Sequence, residues 1–112
     1  MVGEGLPTSG VLTSPNYRTS LYPNSHDSTQ VVEVAEGRTI HFKFTDFDTE
    51  PEYDYVQIVD GNGEDLTPKI YGKTGLDYLD HPGISNSNTM FVRFHTDGDT
   101  QRTGWRLEWI EV

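Results

Sequence analysis

"TIHFKFTDF", residues 39 to 47, sets Ile40, Phe42 and Phe44 at every second position, with His41 and Lys43 between them. A period of two sends successive side chains to opposite sides of an extended chain, so the segment predicts a strand with one buried and one solvated face. The same alternation recurs on either side of it. "TQVVEVAEG" (29 to 37) groups Val32 with Val34 ahead of a turn at Glu36-Gly37, and "TMFVRFHTDGD" (89 to 99) aligns Met90, Val92 and Phe94. "GWRLEWIEV" (104 to 112) aligns Trp105, Leu107 and Trp109, "YVQIVDGNGED" (55 to 65) runs into a Gly-rich turn, and "KIYG" (69 to 72) is a short strand. No stretch carries a convincing 3.6-residue period. Six or more one-sided strands separated by Gly, Asn and Asp turns predict an all-β fold, a sandwich of two antiparallel sheets, because each apolar face needs a second sheet to cover it. A barrel also satisfies the pattern.

The 112 residues suffice for one domain with one core. Residues 1 to 9 are expected to form a loose arm and residues 10 to 112 the folded domain. "TSPNYRTSLYPNSHDS" (13 to 28) is read as a long ordered loop, stiffened by Pro15 and Pro23, with Tyr17, Leu21 and Tyr22 available for packing. The formal charge of −10, from 18 acidic and 8 basic residues, excludes a nucleic-acid partner, which needs clustered Lys and Arg, and suits cationic proteins or metal ions. No apolar run approaches the roughly 18 residues of a membrane span, and "MVGEGLPTSG" lacks the regions of a signal peptide. Cysteine is absent. That removes disulfides, thiolate metal sites and thiol catalysis, and taken alone leans towards a reducing compartment.

"DTEPEYDYVQIVDG" (48 to 61) crowds Asp48, Glu50, Glu52, Asp54 and Asp60 around the start of a strand. Like charges so close are costly unless they are well hydrated or share a cation. Calcium, which takes six to eight oxygen ligands, suits Glu50 and Asp54, and the loop "TDGDTQRTG" (96 to 104) offers Asp97 or Asp99 as further ligands. Solvated acidic turns are the alternative. "DGNGED" (60 to 65) is not an EF-hand loop, since Asp65 and Tyr71 stand where the invariant Gly and the bidentate Glu belong; it reads as a hairpin turn. The four histidines, His26, His41, His81 and His95, have no zinc-site spacing. Catalysis by paired carboxylates lacks room for a cleft, and G-x-S-x-G is missing, so no enzyme is expected.

"GVLTSPNYRTSLYPNS", "VVEVAEGRTIHFKFTDFDTE", "YDYVQIVDG", "SNSNTMFVRFHTDGD" and "TGWRLEW" follow one another in an order that resembles the CUB domain family from about Gly10 to Trp109. The resemblance implies a jelly-roll sandwich of two antiparallel sheets, found in extracellular and secreted proteins, that binds other proteins. It implies one Ca²⁺ held by Glu50, Asp54 and Asp97 with a further ligand at Asp99, and Tyr17 hydrogen-bonded to Glu50. It implies a partner that presents Lys or Arg to the acidic, calcium-organised surface formed by Glu50, Asp54 and Asp97, with Tyr17, Tyr53 and Tyr55 flanking the basic side chain. A carbohydrate ligand stacked on Trp105 or on tyrosines, and a spacer that binds nothing, are the rival readings. The chain departs from the family pattern at four places. Ser28 and Tyr71 stand near the second and fourth cysteines, the stretch from Glu50 to Asp54 is short and lacks the third, and Gln30 takes the place of a frequent core tryptophan.

Overall fold

The computed structural model describes residues 7–79, 81–98 and 100–112. Among the described residues eight strands form, in the order β1 (Ser9–Thr13), β2 (Asp27–Glu33), β3 (Ile40–Asp48), β4 (Tyr55–Asp60), β5 (Ile70–Tyr71), β6 (Gly83–Ile84), β7 (Thr89–His95) and β8 (Gly104–Glu111). A helical turn α1 (Gly72–Gly75), which the sequence did not announce, follows β5 and runs into a 3-10 turn (Leu76–Tyr78). The strands form two four-stranded sheets, ordered β1-β8-β3-β6 and β2-β7-β4-β5, and neighbouring strands are antiparallel throughout. The chain is therefore a jelly-roll sandwich and not a barrel.

The alternation read from the sequence is the one that is buried. Ile40, Phe42 and Phe44 of β3, Met90, Val92 and Phe94 of β7, and Trp105, Leu107 and Trp109 of β8 all face the space between the sheets. Trp105 meets Phe44 of its own sheet edge-to-face at 6.1 Å and Phe94 of the other sheet at 5.8 Å, so its ring ties the two layers together.

Strict alternation would have turned Asp46 into this core. The register of β3 against β8 slips between Phe44 and Asp46, so that Thr45 is an extra residue in the ladder. Parity is thereby reset, Phe47 is buried against Phe44 at 5.1 Å, and Asp46 points outwards, where its carboxylate accepts a hydrogen bond from the Tyr17 hydroxyl at 2.6 Å.

Two expectations about the N-terminal segments need correction. Ser9 already belongs to β1, which pairs from Ser9↔Ile110 to Thr13↔Arg106, so the ordered domain begins inside the span assigned to a loose arm; residues 1–6 lie outside the described residues. The loop read over 13 to 28 spans only 14–26, because Thr13 ends β1 and Asp27 starts β2. Gln30, at the position of the expected tryptophan, is half-buried, and its Nε2 donates to the Thr13 carbonyl at 3.1 Å, bridging the edge strands of the two sheets. Gly104 cannot be replaced freely: it has φ of 104°, and a Cβ there would lie 1.8 Å from the Ser14 hydroxyl oxygen that accepts from the Trp105 N–H.

Candidate metal centre

Three loops meet at one end of the sandwich: residues 14–26 between β1 and β2, 49–54 between β3 and β4, and 96–103 between β7 and β8. Tyr22 knots them together. Its side chain is fully buried and packs edge-on against Phe94 at 5.2 Å, while its backbone N–H donates to Arg102 and its carbonyl accepts from the Gln101 amide at 2.7 Å. The hydroxyl accepts the Glu50 N–H at 3.1 Å and donates to Asp54 Oδ2 at 2.6 Å. Further clamps run from Ser25 N–H to the Asp97 carbonyl, from the Thr96 hydroxyl to the Pro23 carbonyl, and from the Thr49 hydroxyl to the Asp54 carbonyl. Four non-glycine residues with positive φ, Asn16, Arg18, Ser25 and Thr100, lie in two of these loops. Strain of this kind persists where surrounding contacts over-determine the backbone.

The loops bring three of the four expected ligands into one place. Glu50, Asp54 and Asp97 each offer a carboxylate oxygen within 4.8 Å of the others; Asp99 lies outside the described residues. Asp54 is completely buried just before β4, with Oδ1 accepting the Asp97 N–H at 2.9 Å and Oδ2 the Tyr22 hydroxyl. Desolvation nevertheless lifts its carboxyl above the ordinary 3.8; the two donors offset part of this and the Asp97 charge adds to it. Glu50 is raised as well, first by desolvation and then by the Asp97 and Asp54 carboxylates. Its Oε1 is buried without any hydrogen-bond partner. Orphaned acceptors of this kind are rare and costly, and three converging oxygens of a hard, anionic donor set fit Ca²⁺.

Tyr17 does not take the role that the resemblance gave it. Its hydroxyl is committed to Asp46, and the tyrosine that reaches the acidic cluster is Tyr22, five residues later. Both tyrosines lie in the same "SPNY…YP" loop, and only the buried position of the second decides between them. Tyr53 is 59% exposed beside the cluster, available to a partner, whereas Trp105 is fully buried and cannot stack on a sugar. His95 and Tyr55 are half-buried on the outer face of the second sheet.

The two residues near the cysteine positions that the resemblance implies, Ser28 and Tyr71, both belong to the second sheet. Ser28 pairs with Phe94 in the β2–β7 ladder, and the Tyr71 ring meets Tyr55 at 5.5 Å. The short 49–54 loop is held instead by α1: the Lys73 N–H donates to the Pro51 carbonyl at 3.1 Å, and Lys73 pairs with Glu52 at 3.5 Å. Gly72 makes this approach possible, since a Cβ there would sit 1.8 Å from the Thr49 carbonyl oxygen.

The fold and its acidic end define a jelly-roll β-sandwich module. The CUB domain family profile matches residues 4–109, and the chain belongs to that family. Pig cubilin is 35% identical over 107 residues, which is 92% of this chain and 3% of cubilin. The chain thus spans a small fraction of that relative's length. Among solved structures, the MASP-1 CUB2 domain bound to Ca²⁺ superposes with a TM-score of 0.78 at 26% identity, covering 95% of both chains. The full extracellular region of zebrafish Gpr126/Adgrg6 matches with a TM-score of 0.82 at 27% identity, over 95% of this chain and 14% of that one. CUB domains are extracellular protein-interaction modules and generally non-catalytic. No helix among the described residues is long and apolar enough to cross a membrane.

Proposed function

We propose that this chain is an extracellular, calcium-binding protein-interaction module whose acidic end grips a Lys or Arg of a partner protein. The observation that carries the reading is the convergence of Glu50, Asp54 and Asp97 within 4.8 Å, with Glu50 Oε1 buried and unpartnered. The calcium-bound MASP-1 CUB2 domain supports it. Glu50, Asp54 and Asp97 hold the ion, with Asp99 as the expected further ligand. The ion supplies positive charge that relieves the mutual repulsion of the carboxylates. Tyr22 fixes the Asp54 carboxylate and the Glu50 backbone in place beforehand. Three carboxylates outnumber the two charges of the ion, so the surface keeps acceptors for a guanidinium or ammonium group, and the net charge of −10 draws cationic partners from a distance. Tyr53, exposed beside the cluster, flanks the basic side chain.

Thermal unfolding followed during calcium titration tests the metal site. Calcium at a hundredfold excess over its dissociation constant is expected to stabilise the fold by about 2.7 kcal/mol. Asp54→Asn is expected to abolish that rise. A midpoint indifferent to calcium in the unaltered chain would refute the site. Binding to immobilised basic proteins, with calcium and then with chelator, tests the recognition, and a glycan array run alongside tests the carbohydrate alternative.

A further inference from the structure

The outer face of the second sheet presents a graded series of chemistries that begins at the acidic cluster. Along β7 the outward positions are His95, Arg93 and Phe91, and Asp97 of the acidic cluster follows two residues after His95 in the loop. The register places Tyr55 and Tyr71 beside His95, and Gln57 beside Arg93. An aromatic row results, with Tyr55 stacked on His95 at 5.2 Å and meeting Tyr71 at 5.5 Å. A cationic row lies next to it: Arg93 is exposed, and Lys69 Nζ stands 4.9 Å from the centroid of Tyr55. Arg93 has no ion-pair partner among the described residues, while Asp27, the carboxylate in the aromatic row, is engaged by His95 Nδ1 at 2.6 Å. A groove of about 230 Å³ opens between Thr29, Tyr55, Arg93 and His95.

Asp97 lies four positions beyond Arg93, a distance of roughly 13 Å at ~3.3 Å per residue of extended chain. That exceeds the Debye length of about 8 Å at physiological salt, so the acidic end does not neutralise the cationic row. A bound chain would meet two patches of opposite sign with aromatic rings between them.

We propose that Arg93 and Lys69 form a second contact for the partner whose basic side chain the acidic cluster takes. The partner is an extended protein segment with an acidic residue four positions from its Lys or Arg. Its carboxylate meets Arg93 and Lys69, and the residues between lie over Tyr55 and His95. The inference presupposes the calcium-organised acidic end and adds to it a second, oppositely charged determinant of specificity.

Short synthetic peptides measured in saturating calcium test it: one with Lys and Glu four positions apart, a second with Lys and Gln, a third with two Lys. The Lys–Glu peptide is expected to bind roughly two- to fivefold tighter than the Lys–Gln peptide, as befits an exposed ion pair. Non-specific attraction to a −10 chain predicts the opposite order, because the Glu removes positive charge. Arg93→Glu is expected to reverse the preference in favour of the two-Lys peptide and to leave the calcium-induced rise in Tm unchanged. Equal binding of the Lys–Glu and Lys–Gln peptides, or no reversal in Arg93→Glu, overturns the second contact and leaves the acidic end as the sole determinant. Failure of every peptide to bind, with the Tm rise intact, removes the basic-side-chain reading and the second contact with it.

Discussion

Strand β4 is bounded by two aspartates with the same burial and opposite surroundings. Asp54 precedes the strand, Asp60 ends it, and both are completely buried. Burial works against the charge of Asp60, yet its carboxyl is held below the ordinary 3.8, because Oδ2 accepts the Asn62 N–H at 3.1 Å and Oδ1 accepts those of Asn86 and Ser87 at 2.8 and 3.0 Å. Asp54 has one donor on each oxygen but faces two other carboxylates, and its carboxyl is raised. The protein solves the charge of Asp60 with its own backbone and leaves that of Asp54 to something outside the chain. A buried acid is thus structural or functional according to its donors, and not its depth.

The comparison can be broken most forcefully at Asp60. Asp60→Ala strands the Asn62, Asn86 and Ser87 N–H groups and is expected to cost about 3 kcal/mol in chemical denaturation, by the same amount with or without calcium. A loss that calcium repairs would mean that Asp60, too, serves the metal.

pH separates the two ends next. Asp60 has a lowered folded pKa, so its contribution is present above the unfolded value near 3.8 and lost as pH falls through the folded one. Asp54 has a raised folded pKa, so its ionisation penalises the calcium-free fold at neutral pH, and the penalty lifts as pH falls towards 3.8. In chelator, stability measured from pH 7 downwards should therefore fall less steeply in the unaltered chain than in Asp54→Asn, and calcium should reverse that order, because only the unaltered chain gains stability from the ion at neutral pH and loses it as its ligands are protonated. Parallel slopes in chelator would show that Asp54 is no more strained than Asp60.

The smallest and most local comparison is between the two loop tyrosines. Tyr22→Phe removes the hydroxyl that joins Asp54 to the Glu50 backbone; it is expected to cost about 1 kcal/mol and to weaken calcium binding. Tyr17→Phe removes a bond to Asp46 only and should leave calcium affinity unaltered by isothermal titration calorimetry. The reverse ranking would restore Tyr17 to the site.

The strands that alternation marks, β2, β3, β4, β7 and β8, were legible because burial on one face imposes a period of two on the residues. β1 was not, since "SGVLT" leaves Val11 exposed and Leu12 half-buried, and its pairing is fixed by β8 and not by its own pattern. The Thr45 bulge was hidden for a related reason: Asp46 and Phe47 both look admissible until the ladder places Trp105 opposite Phe47. At the acidic cluster, the residue types announced Glu50 and Asp54 with Asp97 or Asp99, and the family resemblance gathered Glu50, Asp54 and Asp97, whereas the choice of Tyr22 over Tyr17 depends on which ring fills the gap beside Phe94. Long-range packing carries that information, and local sequence does not.

The antiparallel pairing of β1 with β8 sets how the module would respond to tension. Ser9 lies opposite Ile110, so the start of β1 and the end of β8 lie side by side at the same end of the first sheet. A force drawing them apart loads the ladder one hydrogen bond at a time, like a zip, and no covalent cross-link shares the load. The opening would begin at the end of the sandwich farthest from the three carboxylates, so the acidic surface would be the last part of that seam to feel the pull.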